Sequence, residues 1–344
     1  MSTPSIVVVG AGVTGLTIAH ELLAQGMDVC IWAARRHPHV TSSVAAAFWS
    51  PFLVESSPRV DRWAREAYRR FEQLAADADD NGVRMSPVEE LLGRDAALPS
   101  WLDGLDGLRR THATGHDATH DRVEFVAPVI ETPIYLPWLE GRIESMGGRF
   151  EARMINDLRE PLRHAHVVVN ATGLGARGLT GDDSLHPVRG QLLRLGMHPD
   201  LDGVVRLDKR DPARARYVVP RRDDIIVGGT ADAAADLEMR PHERDALRHD
   251  GITMDDQLED LPVLENIVGL RPVRPTVRLE VETLPGGAVI HCYGHGGAGV
   301  TVSWGFARDA CTLVRTVTPL TTAHEQATPP CVRPGSFARG VETA

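Results

Sequence analysis

A short run of branched apolar residues that breaks into glycine and resumes as a helix leaves a chain few folds to choose from. Ser5–Val9 has the composition of a strand buried on both faces, as in a parallel sheet. Gly10-Ala11-Gly12-Val13-Thr14-Gly15 follows at once. Val13, Leu16, Ala19, Leu22 and Leu23 then recur at helical spacing up to a stop at Gly26, and Asp28–Trp32 reads as a second strand. A glycine triplet alone says little, but between a strand and a helix in a βαβ unit it points to a dinucleotide. The glycines permit a tight turn and close backbone approach, and the helix start offers free N–H groups and the positive end of its dipole to a pyrophosphate. Gly10, Ala11, Gly12, Val13, Thr14 and Gly15 are therefore candidate cofactor residues. The acidic ribose anchor expected at the end of the second strand is missing, for the chain reads Ala33-Ala34-Arg35-Arg36 there. Two arginines suit the 2′-phosphate of NADP, and equally an FAD site that holds its adenosine by other means; the glycine motif does not choose.

The rest of the composition mainly excludes. A chain of 344 residues suits two domains or one large α/β unit. A net charge of −10 argues against nucleic acid as a partner. Lys209 is the only lysine, against 36 arginines, which reads as coding bias. Cys30, Cys292, Cys311 and Cys331 stand far apart, without metal-ligand or disulfide-framework spacing. His112, His116 and His120, with His164 further off, fall in or near a polar stretch, Thr111–Asp121, that reads as a loop of solvated histidines; no metal is expected. No apolar run is long enough to span a membrane, so a cytoplasmic protein is expected. Further along, Arg59–Ala75 reads as an amphipathic helix, Tyr135–Met146 as a helix stopped by Gly147-Gly148, and Val167–Val169 as a buried strand. Tyr217–Pro220 and Ile225–Gly229 read as an antiparallel pair, and residues 317–344 as a flexible tail.

A second glycine turn is more specific. Val289-Ile290-His291-Cys292-Tyr293-Gly294-His295-Gly296-Gly297-Ala298-Gly299-Val300-Thr301-Val302-Ser303-Trp304-Gly305 leads an apolar strand into glycines and a helix out of them. This stretch resembles the signature of the FAD-dependent D-amino-acid oxidase family, and the resemblance extends from about Ser5 to Thr316. It implies an α/β fold in which a Rossmann-type FAD-binding domain (1–52, 131–185 and 268–316) is interleaved with an antiparallel-sheet α+β substrate domain (53–130 and 186–267). It also implies cofactor contacts at Ala34, Arg35 and Arg36, at Thr41 and Ser42, and at Ala46, Ala47 and Phe48 in a loop similar to one that packs on the flavin. Met154 and Ile155 match a site near the adenine, and Thr172 and Gly173 another cofactor turn. Gly296, Gly297, Ala298, Gly299, Val300 and Thr301 face the flavin pyrimidine edge in the family. Some members also lack the acidic ribose anchor, which removes the argument for NADP.

Two side chains carry over as catalytic-site ligands of the substrate carboxylate. Arg271, in Gly269-Leu270-Arg271-Pro272, matches an arginine whose planar fork suits a carboxylate, and it also borders the cofactor. Tyr217 matches a tyrosine that hydrogen-bonds the same group, while Gly297 and Ala298 border the substrate. A second tyrosine typical of the vertebrate enzymes is replaced by Ala213. The implied reaction is oxidative deamination of a D-amino acid by hydride transfer to flavin N5, with O2 as acceptor, yielding a 2-oxo acid, ammonia and hydrogen peroxide. His291 and His295 are expected to be structural, and Arg274 and Arg278 to be internal salt-bridge residues. Rival readings are a related amine oxidase acting on glycine, an acidic D-amino acid or a biosynthetic intermediate, and, from another class, a flavin-binding sensor without turnover. The partners expected are an amino acid and O2, with no nucleic acid and no membrane; a homodimer is left open.

Overall fold

The computed structural model describes residues 6–46, 48–105, 107–113, 119–211 and 216–318. The expectations for Ala47, His116, Ala213 and Cys331, and for nearly all of the tail, lie outside the described residues.

In chain order the elements begin with β1 (Ile6–Val9), α1 (Val13–Ala24), β2 (Val29–Ala33), α2 (Pro58–Ala76), β3 (Val83–Gly93), β4 (Arg109–His112) and β5 (His120–Ile130). Then come α3 (Thr132–Ser145), β6 (Arg149–Ala152), β7 (Val167–Asn170), α4 (Ala176–Thr180), β8 (His186–Gly196), β9 (Val205–Lys209), β10 (Arg216–Pro220) and β11 (Asp224–Gly228). The last are α5 (Pro241–Met254), β12 (Val263–Leu284), β13 (Gly287–His295) and α6 (Gly299–Val317). All the strands join one sheet in the order β4-β5-β3-β9-β10-β11-β8-β12-β13-β7-β1-β2-β6. From β13 to β6 the neighbours are parallel, and from β9 to β13 they are antiparallel. The fold is thus a mixed α/β one. The domain boundary expected between 267 and 268 falls inside β12, a single 22-residue strand that runs through both halves.

Alternation explains why β1 is apolar at every position. Ile6 and Val8 belong to the large core with α1, α2, α3 and α6, whereas Val7 and Val9 pack on the other face with Trp32, Ile155 and Leu162. The antiparallel half alternates likewise. Val218, Ile225 and Val227 pack under Leu247 of α5, while Tyr217, Val219 and Ile226 face the large core.

Local signals set most helix ends. Ser57 caps α2 through Val60 N–H at 3.3 Å, and Pro58 occupies its first turn, so the helix starts one residue ahead of the expected Arg59. The helix expected at Tyr135 begins at Thr132, with Pro133 in its first turn. The Thr111–Asp121 stretch is not all loop: Thr111 and His112 end β4, and His120 and Asp121 open β5, its antiparallel partner. Among the described residues no helix is long and apolar enough to cross a membrane.

Candidate active site

A cleft of about 640 Å³ runs from the end of β1, where the parallel strands finish, to the antiparallel strands around Tyr217. Its first wall is the turn between β1 and α1. Gly10 has φ +109°, and a Cβ there would stand 2.4 Å from Ala171 O, so only glycine fits. No side chain caps α1 at Gly12. Of its free N–H groups, Val13 donates to Ser42 Oγ at 3.0 Å, which ties the 3-10 turn Thr41–Val44 to the helix start. Gly10, Ala11, Gly12, Val13, Thr14, Thr41 and Ser42 all line the cleft. Gly15 does not; its missing Cβ would stand 2.0 Å from Gly10 O, so it serves the packing of the helix on the turn.

At the neighbouring end, Ala34, Arg35, Met154 and Ile155 line the cleft, together with Trp32 and Arg153, which sequence reasoning missed. Arg153 stacks over the Trp32 ring at 3.8 Å. Arg36 turns away: it pairs with Glu140 at 2.6 Å and Glu144 at 3.3 Å, and lies over Phe150. Thr172 and Gly173, on the turn after β7, also line the cleft, where Thr172 Oγ1 donates to Asn170 Oδ1 at 2.7 Å.

The opposite wall is the second glycine turn. Gly296 has φ +56°, and any Cβ there would collide with Leu53 O. Gly296, Gly297, Gly299, Val300 and Thr301 line the cleft, whereas Ala298 is fully buried and off its wall. The start of α6 carries no side-chain cap, so a second positive helix end faces the same space. Two uncapped helix starts and two glycine turns, with apolar residues between them, are the fittings a flavin dinucleotide needs. His295 lies here too, edge-on to Phe306, and burial pushes its pKa down to about 3. His291 is buried as well, held between Asn170 and Glu282.

Beyond the glycines the cleft ends on the antiparallel sheet. Arg271 lies flat against Gly190, where a Cβ would stand 2.2 Å from Nη1; that nitrogen donates to Thr230 O at 2.8 Å, and the guanidinium is 5.3 Å from the Phe52 ring. Among the described residues no carboxylate pairs with it. Arg274 and Arg278, by contrast, are paired with Asp182 and Glu280. Tyr217 stands beside Arg271, edge-on to Phe48 at 5.3 Å; burial raises its pKa and the Arg271 guanidinium opposes the rise. The phenol therefore stays a donor at neutral pH. Ser50, Phe52, Gly190, Leu192, Leu207, Lys209 and Arg216 also line the cleft, and none of them was singled out as a site residue, although Ser50 lies in the loop similar to the flavin-packing one. Ala46 lines the cleft too, and Phe48, against Tyr217, belongs to this end.

Away from the cleft, the fold corrects the reading of the histidine-rich stretch. It places Asp95 and Asp121 around His112, whereas the sequence reading saw no carboxylate framing the histidines as a ligand set. Asp121 is already engaged by Arg110 at 2.9 Å, by His112 at 2.7 Å and by the Asp95 N–H, and these donors hold its carboxyl well below the usual range.

Comparison with known proteins agrees with this geometry. The family model described as FAD dependent oxidoreductase (DAO) matches residues 5–313. A D-amino-acid oxidase from Rubrobacter xylanophilus is 42% identical over 311 residues, covering 89% of this chain and 94% of its own. One from Streptomyces coelicolor is 38% identical over 313 residues, covering 90% and 96%. In structure, the glycine oxidase from Bacillus cereus superposes with a TM-score of 0.77 over 91% of this chain and 97% of its own; at 17% identity it speaks for the fold alone. The chain with its two glycine turns, its two uncapped helix starts and the cleft between them belongs to the DAO family of FAD-dependent oxidoreductases.

Proposed function

We propose that this chain oxidises neutral D-amino acids to imino acids and passes the electrons to O2, and that Arg271 and Tyr217 hold the substrate carboxylate. The observation that carries the reading is Arg271 itself. It is a cleft-lining guanidinium fixed by Gly190 and Thr230 O, with no carboxylate partner among the described residues, beside a buried tyrosine donor. A fork of this kind, left without an anion in a half-closed site, suits a carboxylate bidentately. The curated relatives named as D-amino-acid oxidases support the substrate class.

FAD, when bound, supplies the two-electron acceptor for the Cα–H hydride. The chain supplies position and electrostatics. Arg271 and Tyr217 fix the carboxylate, and Phe48, Phe52, Leu192 and Leu207 line that end with apolar surface that excludes water. The positive start of α6 favours negative charge at the glycine wall. His295 is a poor proton acceptor, since burial keeps it neutral and its conjugate acid unstable. The hydride step needs the substrate amine in its neutral form. The product imino acid hydrolyses to a 2-oxo acid and ammonia, and O2 takes up the two electrons and two protons as hydrogen peroxide.

The test is to mix the yellow protein with a neutral D-amino acid without oxygen, then admit air. The expected result is loss of the flavin absorbance, its rapid return in air, and peroxide equimolar with the substrate consumed. Bleaching that air fails to reverse would mean an acceptor other than O2. Absence of bleaching by any D-amino acid would end the reading.

A further inference from the structure

The one lysine of the chain stands in the cleft. Strand alternation puts it there: Leu207 pairs with Tyr217 across β9 and β10, both face the cleft, and Lys209 is the next residue of β9 on that face. Asp208, between them, points the other way and holds Arg210 and Arg216. Lys209 Nζ reaches Glu90 Oε1 at 3.0 Å and donates to Ser50 Oγ at 3.2 Å, with the Trp101 ring 5.6 Å away. Glu90 comes from β3, where it pairs with Leu207; it is 1% exposed, and its other oxygen has no hydrogen-bond partner among the described residues. Ser50 is fixed in turn, since its backbone exchanges hydrogen bonds with Thr301 Oγ1. Among the described residues the ammonium thus keeps one N–H without an oxygen partner and Ser50 keeps its own O–H, both at the substrate end of the cleft.

We propose that Lys209 is a specificity-determining residue that reads the substrate side chain. The inference rests on the proposed D-amino-acid oxidase reading, with the carboxylate held at Arg271. Two donors there select side chains that carry an acceptor. The charge of the donor is already balanced, however, by a buried carboxylate 3.0 Å away. A neutral acceptor such as an amide carbonyl gains a hydrogen bond, whereas a side-chain carboxylate gains the same bond and meets the field of Glu90. The pocket therefore takes D-amino acids with uncharged, carbonyl-bearing side chains and disfavours their acidic isosteres. Glu90, and not the lack of a cation, sets that bias.

D-Glutamine, D-glutamate and D-leucine separate these effects, because the first two share a shape and the third lacks the acceptor. In Lys209→Met the ratio of kcat/KM for D-glutamine over D-leucine should fall about tenfold or more, the usual worth of a hydrogen bond to a charged group. In Glu90→Gln, which keeps the volume and removes the charge, the ratio for D-glutamate over D-glutamine should rise about tenfold. Should Lys209→Met fold poorly with Glu90 left alone, the double variant Lys209→Met/Glu90→Gln reads the first ratio without a buried unpaired charge. Yellow, active variants whose two ratios stay at the wild-type values would overturn the role of Lys209 and leave the oxidase reading standing. A wild-type protein that oxidises none of the three, D-leucine included, would overturn both.

Discussion

Arg271→Ala is expected to give a folded, yellow and nearly inactive protein. Lys209 and Arg216 also line the cleft but are paired with carboxylates, whereas Arg271 has none among the described residues, and its removal leaves the substrate carboxylate desolvated without its guanidinium partner. Losing one member of a buried charged pair costs about 3–5 kcal/mol, which lowers kcat/KM by roughly 10²–10³-fold or more. Arg271→Lys should fail nearly as badly, because a point ammonium lacks the two parallel N–H groups and cannot also hold Thr230 O. Flavin content should stay near normal, since the backbone of the two glycine turns, on which the cofactor would rest, is left in place by the substitution. Steady-state kinetics with flavin absorbance on both variants check this. Near-normal kcat/KM in Arg271→Ala would remove the carboxylate clamp. Arg274 could not take its place, because it is committed to Asp182 at 2.9 Å.

The second large effect comes from a residue with no side chain. A Cβ at Gly190 would stand 2.2 Å from Arg271 Nη1, 2.3 Å from Cζ and 2.4 Å from Nη2. The atoms it meets are the far end of a flexible side chain, so Gly190→Ala should fold. The guanidinium, though, is confined by Thr230 O and the Phe52 ring and must slide off its present position. A displacement of about 1 Å at a substrate anchor costs on the order of 10²-fold in rate. We therefore expect kcat/KM to fall by about that factor with Tm nearly unchanged. Gly141→Ala, at an α3 position where an added Cβ meets nothing, should leave the kinetics alone. Wild-type kinetics in Gly190→Ala would show that the position of the guanidinium is not what the site depends on.

The parts of this molecule that were legible in its sequence are those whose physics is local. The β1–α1 turn announces itself because strand, glycines and helix are contiguous, and the β13–α6 turn for the same reason. Tyr217 and Arg271 were legible only through family resemblance. What was illegible depends on direction and on distance along the chain. Arg35 and Arg36 are adjacent, yet one lines the cleft and the other reaches to Glu140; the strand end sends them apart and no composition records it. Gly15 and Ala298 belong to the motifs, but one is needed for packing and the other is enclosed. Lys209 looked like a compositional accident until Glu90 and Ser50, from remote segments, were brought to its ammonium. The carboxylates near His112 were hidden similarly, since hairpin register delivers Asp121 opposite it.

Handedness tests the central claim most directly. With the carboxylate on Arg271 and Tyr217 and the side chain toward Leu207 and Lys209, two substituents of Cα are fixed, and only one enantiomer then turns its Cα–H to the cofactor. Flavin reduction should be followed at its visible absorbance after anaerobic mixing with matched D- and L-enantiomers of one neutral amino acid. The account predicts rapid bleaching by the D-enantiomer and none by the L-enantiomer; bleaching at comparable rates by both would contradict it.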